Sequence, residues 1–154
     1  METKSSEDVA AEMFNNGFRC SQAVLEPFAA SYGLDGDLAR RLSIGFAGGA
    51  GCGGVCGAVA AAYLVNGLRF GFSHPGDSER FQAVIAKNRE FAERFRAVHG
   101  SLNCRDLIGV DPFSEEGFQY FQEKGLKKTI CTPAVRDAVR ILEALAVEEV
   151  GQAG

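Results

Sequence analysis

The feature that most limits how this chain can fold is a run of glycine. Seven of the thirteen residues from Gly45 to Gly57 are glycine, and Cys52 and Cys56 stand among them. Glycine serves where the backbone takes positive φ or passes close to another group, and it loses more entropy on ordering than any other residue. A loop of this kind calls for packing or a ligand to offset that loss. The eleven residues from Val55 to Val65 are all apolar or glycine, the pattern of a helix buried on every side. The run therefore predicts a glycine-rich loop feeding a central helix over about 55–70, with Cys52 and Cys56 at its mouth.

At 154 residues the chain has the length of one domain, residues 1–154, large enough to bury a substantial core. Its net charge of -4 leaves no electrostatic footprint for nucleic acid. No charge occurs between Arg41 and Arg69, but the first half of that stretch is mostly glycine and alanine. Its apolar part is too short to cross a bilayer, so no membrane span is expected. Met1 to Asp8 is polar and lacks the apolar core of a secretory signal. Five cysteines without such a signal suit a reducing, cytoplasmic setting, where they are metal-binding, catalytic or simply buried.

The periodicity is helical throughout. Ser5 and Asp8 are spaced as a capping box before Val9, Ala10, Met13 and Phe14. A second helix begins near Cys20 and turns Ala23, Val24, Phe28 and Tyr32 inward, with Pro27 inside it as a kink point. Asp35 caps a third, with Leu38 and Leu42 as its apolar residues. Asp77 or Ser78 caps a long helix to about His99, with Phe81, Val84, Ile85, Ala92, Phe95 and Val98 on one face. Short helices follow after Gly100 and from Ser114. Thr132 and Pro133 suit the cap and first position of a final helix carrying Val135, Ala138, Val139, Leu142 and Leu145 inward. No convincing strand pattern occurs. The expected fold is all-α, a single-domain bundle of about six helices around the buried central one.

Two glycine motifs and two histidines need placing. Gly49-x-Gly51-x-x-Gly54 matches a dinucleotide fingerprint in letters, but that fingerprint acts only between a strand and a helix, and the flanks here lack a parallel-sheet pattern. A phosphate loop is excluded because no Lys-Ser or Lys-Thr follows. Gly49, Gly51, Gly53, Gly54 and Gly57 are instead read as the loop around a cysteine site, where a cofactor would be held. His99, a candidate base for Cys104, is better explained as complementing a helix C-terminus.

The cysteines carry the chemistry. Cys20, Cys56, Cys104 and Cys131 each fall at or near a predicted helix start, where partial positive charge favours thiolate. Arg19, Arg105, Lys127 and Lys128 lie beside three of them in sequence. Converging helix starts would make one site for several thiolates. Such a site suits an iron–sulfur cluster or another thiophilic metal, or thiol–disulfide exchange with the four cysteines as redox thiols. Cys52-x-x-x-Cys56 is not a C-x-x-C spacing, and Cys52 is left as a further ligand or a resolving thiol.

These residues resemble the C_GCAxxG_C_C family of small redox-active proteins, over nearly the whole chain. The matching segments are Cys20-Ser-Gln-Ala-Val24, Cys56-Gly57-Ala58 after the glycine loop, Gly100-Ser-Leu-Asn-Cys-Arg105, and Cys131 at the final helix. Two positions depart: Ala61 stands where the family pattern has glycine, and Cys52 is additional. The resemblance implies an all-helical prokaryotic redox or metal-binding protein, often encoded near transporters. The leading reading is a redox protein whose Cys20, Cys56, Cys104 and Cys131 form one metal or cluster site for electron transfer. The alternatives are a metal-free thiol–disulfide oxidoreductase and a non-catalytic helical assembly module associated with a transporter. The redox partner is unknown, and a homodimer is the expected oligomer if one forms.

Overall fold

A computed structural model describes residues 2–153, with side-chain surroundings up to residue 148. Among these residues the chain forms eight α-helices and no strand. They are α1 (Ser6–Asn15), α2 (Cys20–Ala29), α3 (Gly36–Ser43), α4 (Gly57–Phe70), α5 (Ser78–His99), α6 (Cys104–Ile108), α7 (Glu115–Glu123) and α8 (Thr132–Ala153). The two short helices expected after Gly100 and from Ser114 form as α6 and α7, and with them the count rises from about six to eight. No helix is long and apolar enough to cross a membrane among the described residues.

The caps expected at Ser5, Asp35 and Asp77 form, and Ser114 caps α7 in the same way. Ser5 accepts from the Asp8 N–H, Asp35 from Leu38, Asp77 from Arg80 and Ser114 from Gly117. Each satisfies one of the donors that a helix start leaves without an intrahelical partner. Pro27 sits within α2, so its carbonyl partner loses one ladder bond, and the helix tightens into a 3₁₀ turn at Ala30–Tyr32.

The centre of the molecule is α4. It packs against α2, α5 and α8, and α1 packs against α8 and α2. The first half of α4 is buried all round, from Gly57 to Ala62. Its second half is amphipathic, with Val65 and Asn66 inside and Leu68 exposed. Alanines let the neighbouring helices approach closely, because interaxial distance follows side-chain size. Larger side chains fill the outer core: Leu25, Phe91, Phe95, Val135, Val139, Leu142 and Leu145. Phe91 stacks on Phe95 with ring centroids 5.9 Å apart, and Tyr63 meets Phe91 edge-on at 6.0 Å. Asn66 donates to Asn88 at 3.0 Å, a polar tie between α4 and α5.

Four local expectations are corrected. Tyr32, expected inward, is exposed in the 3₁₀ turn that follows α2. In α3 the buried residues are Ala39 and Ser43, while Leu38 and Leu42 are half exposed. The small side chains let α3 lie close on α2, and the leucines flank the contact. In α5 the core residues are Phe91, Ala92 and Phe95, whereas Phe81 and Val98 are exposed. Phe81 lies in the first turn of α5, and Val98 faces outward while its neighbour His99 reaches Asp137 on α8. Thr132 is not a cap: its φ/ψ is helical, and a wide turn at Lys127–Cys131 runs directly into α8. Pro133 has no N–H to give the Thr129 carbonyl, so the preceding turn opens to the π spacing. The Thr132 hydroxyl donates to the Lys127 carbonyl at 2.9 Å.

The glycine loop is used for its backbone freedom at Gly49, whose φ is +66°. A Cβ there would lie 2.6 Å from the Gly54 carbonyl oxygen and 3.0 Å from the Cys104 Cβ. Gly51 also has positive φ, yet nothing lies within 4 Å of its would-be Cβ. Gly49→Ala is therefore expected to cost clearly more stability than Gly51→Ala, which suffers only the backbone strain of about 1–3 kcal/mol. Urea unfolding of both variants checks this. Equal midpoints would show that the loop is not closed on itself.

Candidate functional site

The four cysteines meet in one place. Cys20, Cys56, Cys104 and Cys131 all line a cavity of about 310 Å³ beside the start of α4. Each arrives by a different local device. Cys20 is the first residue of α2, Cys56 is the residue that precedes α4, and Cys104 opens α6. Cys131 closes the wide turn before α8.

A short piece of β pairing joins two of them. The Cys56 N–H donates to the Leu102 carbonyl and the Cys104 N–H to the Gly54 carbonyl, each at 2.7 Å. Val55 and Asn103 are the antiparallel pair between these bonds. Side chains alternate across such a ribbon, so Gly54, Cys56, Leu102 and Cys104 share one face. Val55 and Asn103 take the other face and are exposed. Sequence reasoning found no strand here, because a single bridge carries no period-2 pattern.

Gly57 brings in Cys20. A Cβ at Gly57 would lie 2.6 Å from the Cys20 sulfur and 3.0 Å from the Phe46 carbonyl oxygen. The missing side chain is the space that Cys20 occupies. Ser21, next to it, is fully buried with a hydroxyl that has no hydrogen-bond partner. The other loop glycines divide. Gly48 and Gly57 line the cavity, and Gly49 backs onto Cys104. Gly51 faces open space, Gly53 lies against Arg105, and Gly54 supplies the carbonyl bonded to Cys104. Cys52 is exposed and does not line the cavity. His99 points elsewhere, bonded through Nε2 to Asp137 at 2.8 Å.

The electrostatics reverse one expectation. Helix starts were expected to favour thiolate, yet burial pushes the Cys56 and Cys131 thiols up to about 12 and the Cys104 thiol to about 11. Cys20 is also raised, again by burial first. Cys20 is the second cause of the rise at each of the other three, so the sulfurs are near enough to repel one another as thiolates. The N–H groups of Gly48, Ser21 and Ala58 act the other way on Cys20, and those of Ala58 and Val59 on Cys56. Desolvation of a charge in an apolar cavity outweighs a few aligned dipoles. Lys127 lowers Cys131 only as the last of four causes.

All five cysteines are free thiols. Among the described residues no three His, Cys, Asp or Glu side chains are grouped to hold a single metal ion.

The raised thiols set a pH dependence with a definite sign. The folded protein keeps protons above pH 9.0 that the unfolded chain releases, so this contribution to stability is full below 9.0 and is lost as pH rises towards 12. The metal-free protein should therefore lose stability in that range. A variant with serine at 20, 56, 104 and 131 should decline less steeply, because hydroxyls do not titrate there. Melting curves over pH test this, and identical slopes for the two proteins would overturn it.

Nothing among the curated proteins or the solved structures matches this chain. A model of one protein family does match, over residues 18–145, which contain all five cysteines. That family is described as "Putative redox-active protein (C_GCAxxG_C_C)". In this chain its central motif is Cys56-Gly57-Ala58, where the glycine makes room for Cys20 and the cysteine faces the cavity. The chain thus belongs to the C_GCAxxG_C_C family of redox-active proteins.

Proposed function

We propose that Cys20, Cys56, Cys104 and Cys131 are the ligands of an iron–sulfur cluster and that the protein carries electrons. One observation carries this reading: four thiols far apart in sequence line one cavity of about 310 Å³. Four thiolates complete the ligand set of a cluster. Cys20, Cys56, Cys104 and Cys131 would hold it from four separate elements of the chain. A cluster would supply one-electron chemistry at a potential set by burial and by hydrogen bonds to sulfur.

The chain's own residues would do the rest. The Gly54–Cys56 and Leu102–Cys104 pairing holds two thiols on one face. Gly57 admits the Cys20 sulfur, and the N–H groups of Gly48, Ala58 and Val59 face the sulfurs of Cys20 and Cys56. Phe113, Phe118 and Phe121 contribute apolar lining to the cavity. Coordination would have to displace the protons that burial retains on these thiols, so binding would release protons and strengthen with pH. The odd count of five cysteines also suits a reducing compartment such as the cytoplasm.

A second reading is metal-free thiol–disulfide exchange. It is favoured by Cys56 and Cys104 lying on one face of the ribbon as free thiols. It is opposed by their high pKa, because the thiolate is the attacking species.

The deciding measurement is iron and acid-labile sulfide per chain after anaerobic purification from iron-supplied cells, with a visible spectrum. Bound iron and sulfide with a charge-transfer band are expected. Cys104→Ser should lose most of both, whereas Cys52→Ser should keep them. A colourless protein without iron, whose thiols oxidise and recover reversibly, would replace the cluster reading with the exchange one.

A further inference from the structure

The cavity is lined by more than thiols need. Phe14, Phe113, Phe118 and Phe121 contribute to its wall, with Leu107 and Ile130. Arg19 and Lys127 also line it, and no Asp or Glu does. In a chain of net charge -4, this is a locally positive, aromatic pocket. Asp111 is near enough to raise the Cys104 thiol but is not part of the lining. Elsewhere the arginines at 40, 94, 136 and 140 are held by carboxylates. Neither Arg19 nor Lys127 has such a partner among the described residues. Lys127 instead lies over the Phe14 ring at 4.7 Å.

Small-ligand sites combine an apolar wall with a few polar groups that fix orientation. Phenylalanine faces and edges favour a flat π system over an aliphatic one. Cations without carboxylate partners at an apolar wall favour a single negative charge. A compact, doubly charged ion such as phosphate would lose too much hydration against this lining. We infer that the cavity binds a small aromatic anion, its ring against the phenylalanines and its charge met by Arg19 and Lys127. The inference rests on the redox reading only in setting that molecule beside redox-active thiols; binding does not require the cluster.

The probe is 2-naphthoate, titrated calorimetrically into the anaerobically purified full-length protein, with iron and sulfide measured on the same sample. Saturable one-to-one binding is expected, tighter than for the neutral 2-naphthamide. Arg19→Gln and Lys127→Gln should each weaken naphthoate about tenfold, the order expected for one hydrogen bond to a charged group, and leave naphthamide unchanged. Phe118→Ala should weaken both. Absence of saturable binding, or equal affinity for acid and amide in all proteins, overturns the inference. If the two cation variants lose iron while naphthoate fails to bind, the cations serve the cluster alone; this inference falls and the cluster reading stands. Naphthoate binding in iron-free protein, weakened by the same variants, sustains the inference while the cluster reading falls.

Discussion

Everything in the site depends on the absence of a side chain at Gly57. The start of α4 lies against the start of α2, and the Cys20 sulfur occupies the space where a Cβ would be. Side-chain packing decides how near two helices come, and here the contact is between a glycine and a cysteine. Phe46 closes the same contact through its carbonyl. The loop between Phe46 and Cys56 must then double back on itself, and its glycines with positive φ allow it to. The glycine content and the cysteine geometry are one constraint seen twice.

Burial and dipoles compete at these sulfurs, and burial prevails. Cys20, Cys56 and Cys104 do lie at helix starts, where partial positive charge favours thiolate. But the same placement turns them into an apolar cavity beside one another, and each added thiolate would repel the rest. The outcome is a set of protonated thiols in the metal-free protein. A cation would change this balance, because its charge acts on all four sulfurs at once.

The segment from Gly109 to Gly125 covers the cavity as a locally satisfied unit. Asp111 and Ser114 bond to its own backbone, and the Gln119 amide bonds to Glu123. Gly117 is the only buried residue of α7. Phe113, Phe118 and Phe121 line the cavity from this segment. Phe113 and Phe118 stay more than half exposed, so this wall is open to solvent on its outer side.

Much of this was legible in the residues alone. The all-helical class, the buried helix after the glycine run, the caps at Ser5 and Asp35, the helix starts near Asp77 and Ser114, and the choice of cysteines follow from local chemistry and periodicity, which act within a few residues. The tertiary structure decided what local chemistry could not. The bridge at Val55 and Asn103 pairs segments with no strand pattern. Phe91 rather than Phe81 enters the core because of where α5 meets α4 and α8. The direction of the thiol shifts reversed because burial depends on every element packed around a sulfur, whereas the helix dipole is set by its own helix. Which residues have the chemistry is written in their types and spacing; whether four of them share a cavity, and which cations and aromatic rings line it with them, depends on long-range packing that spacing does not encode.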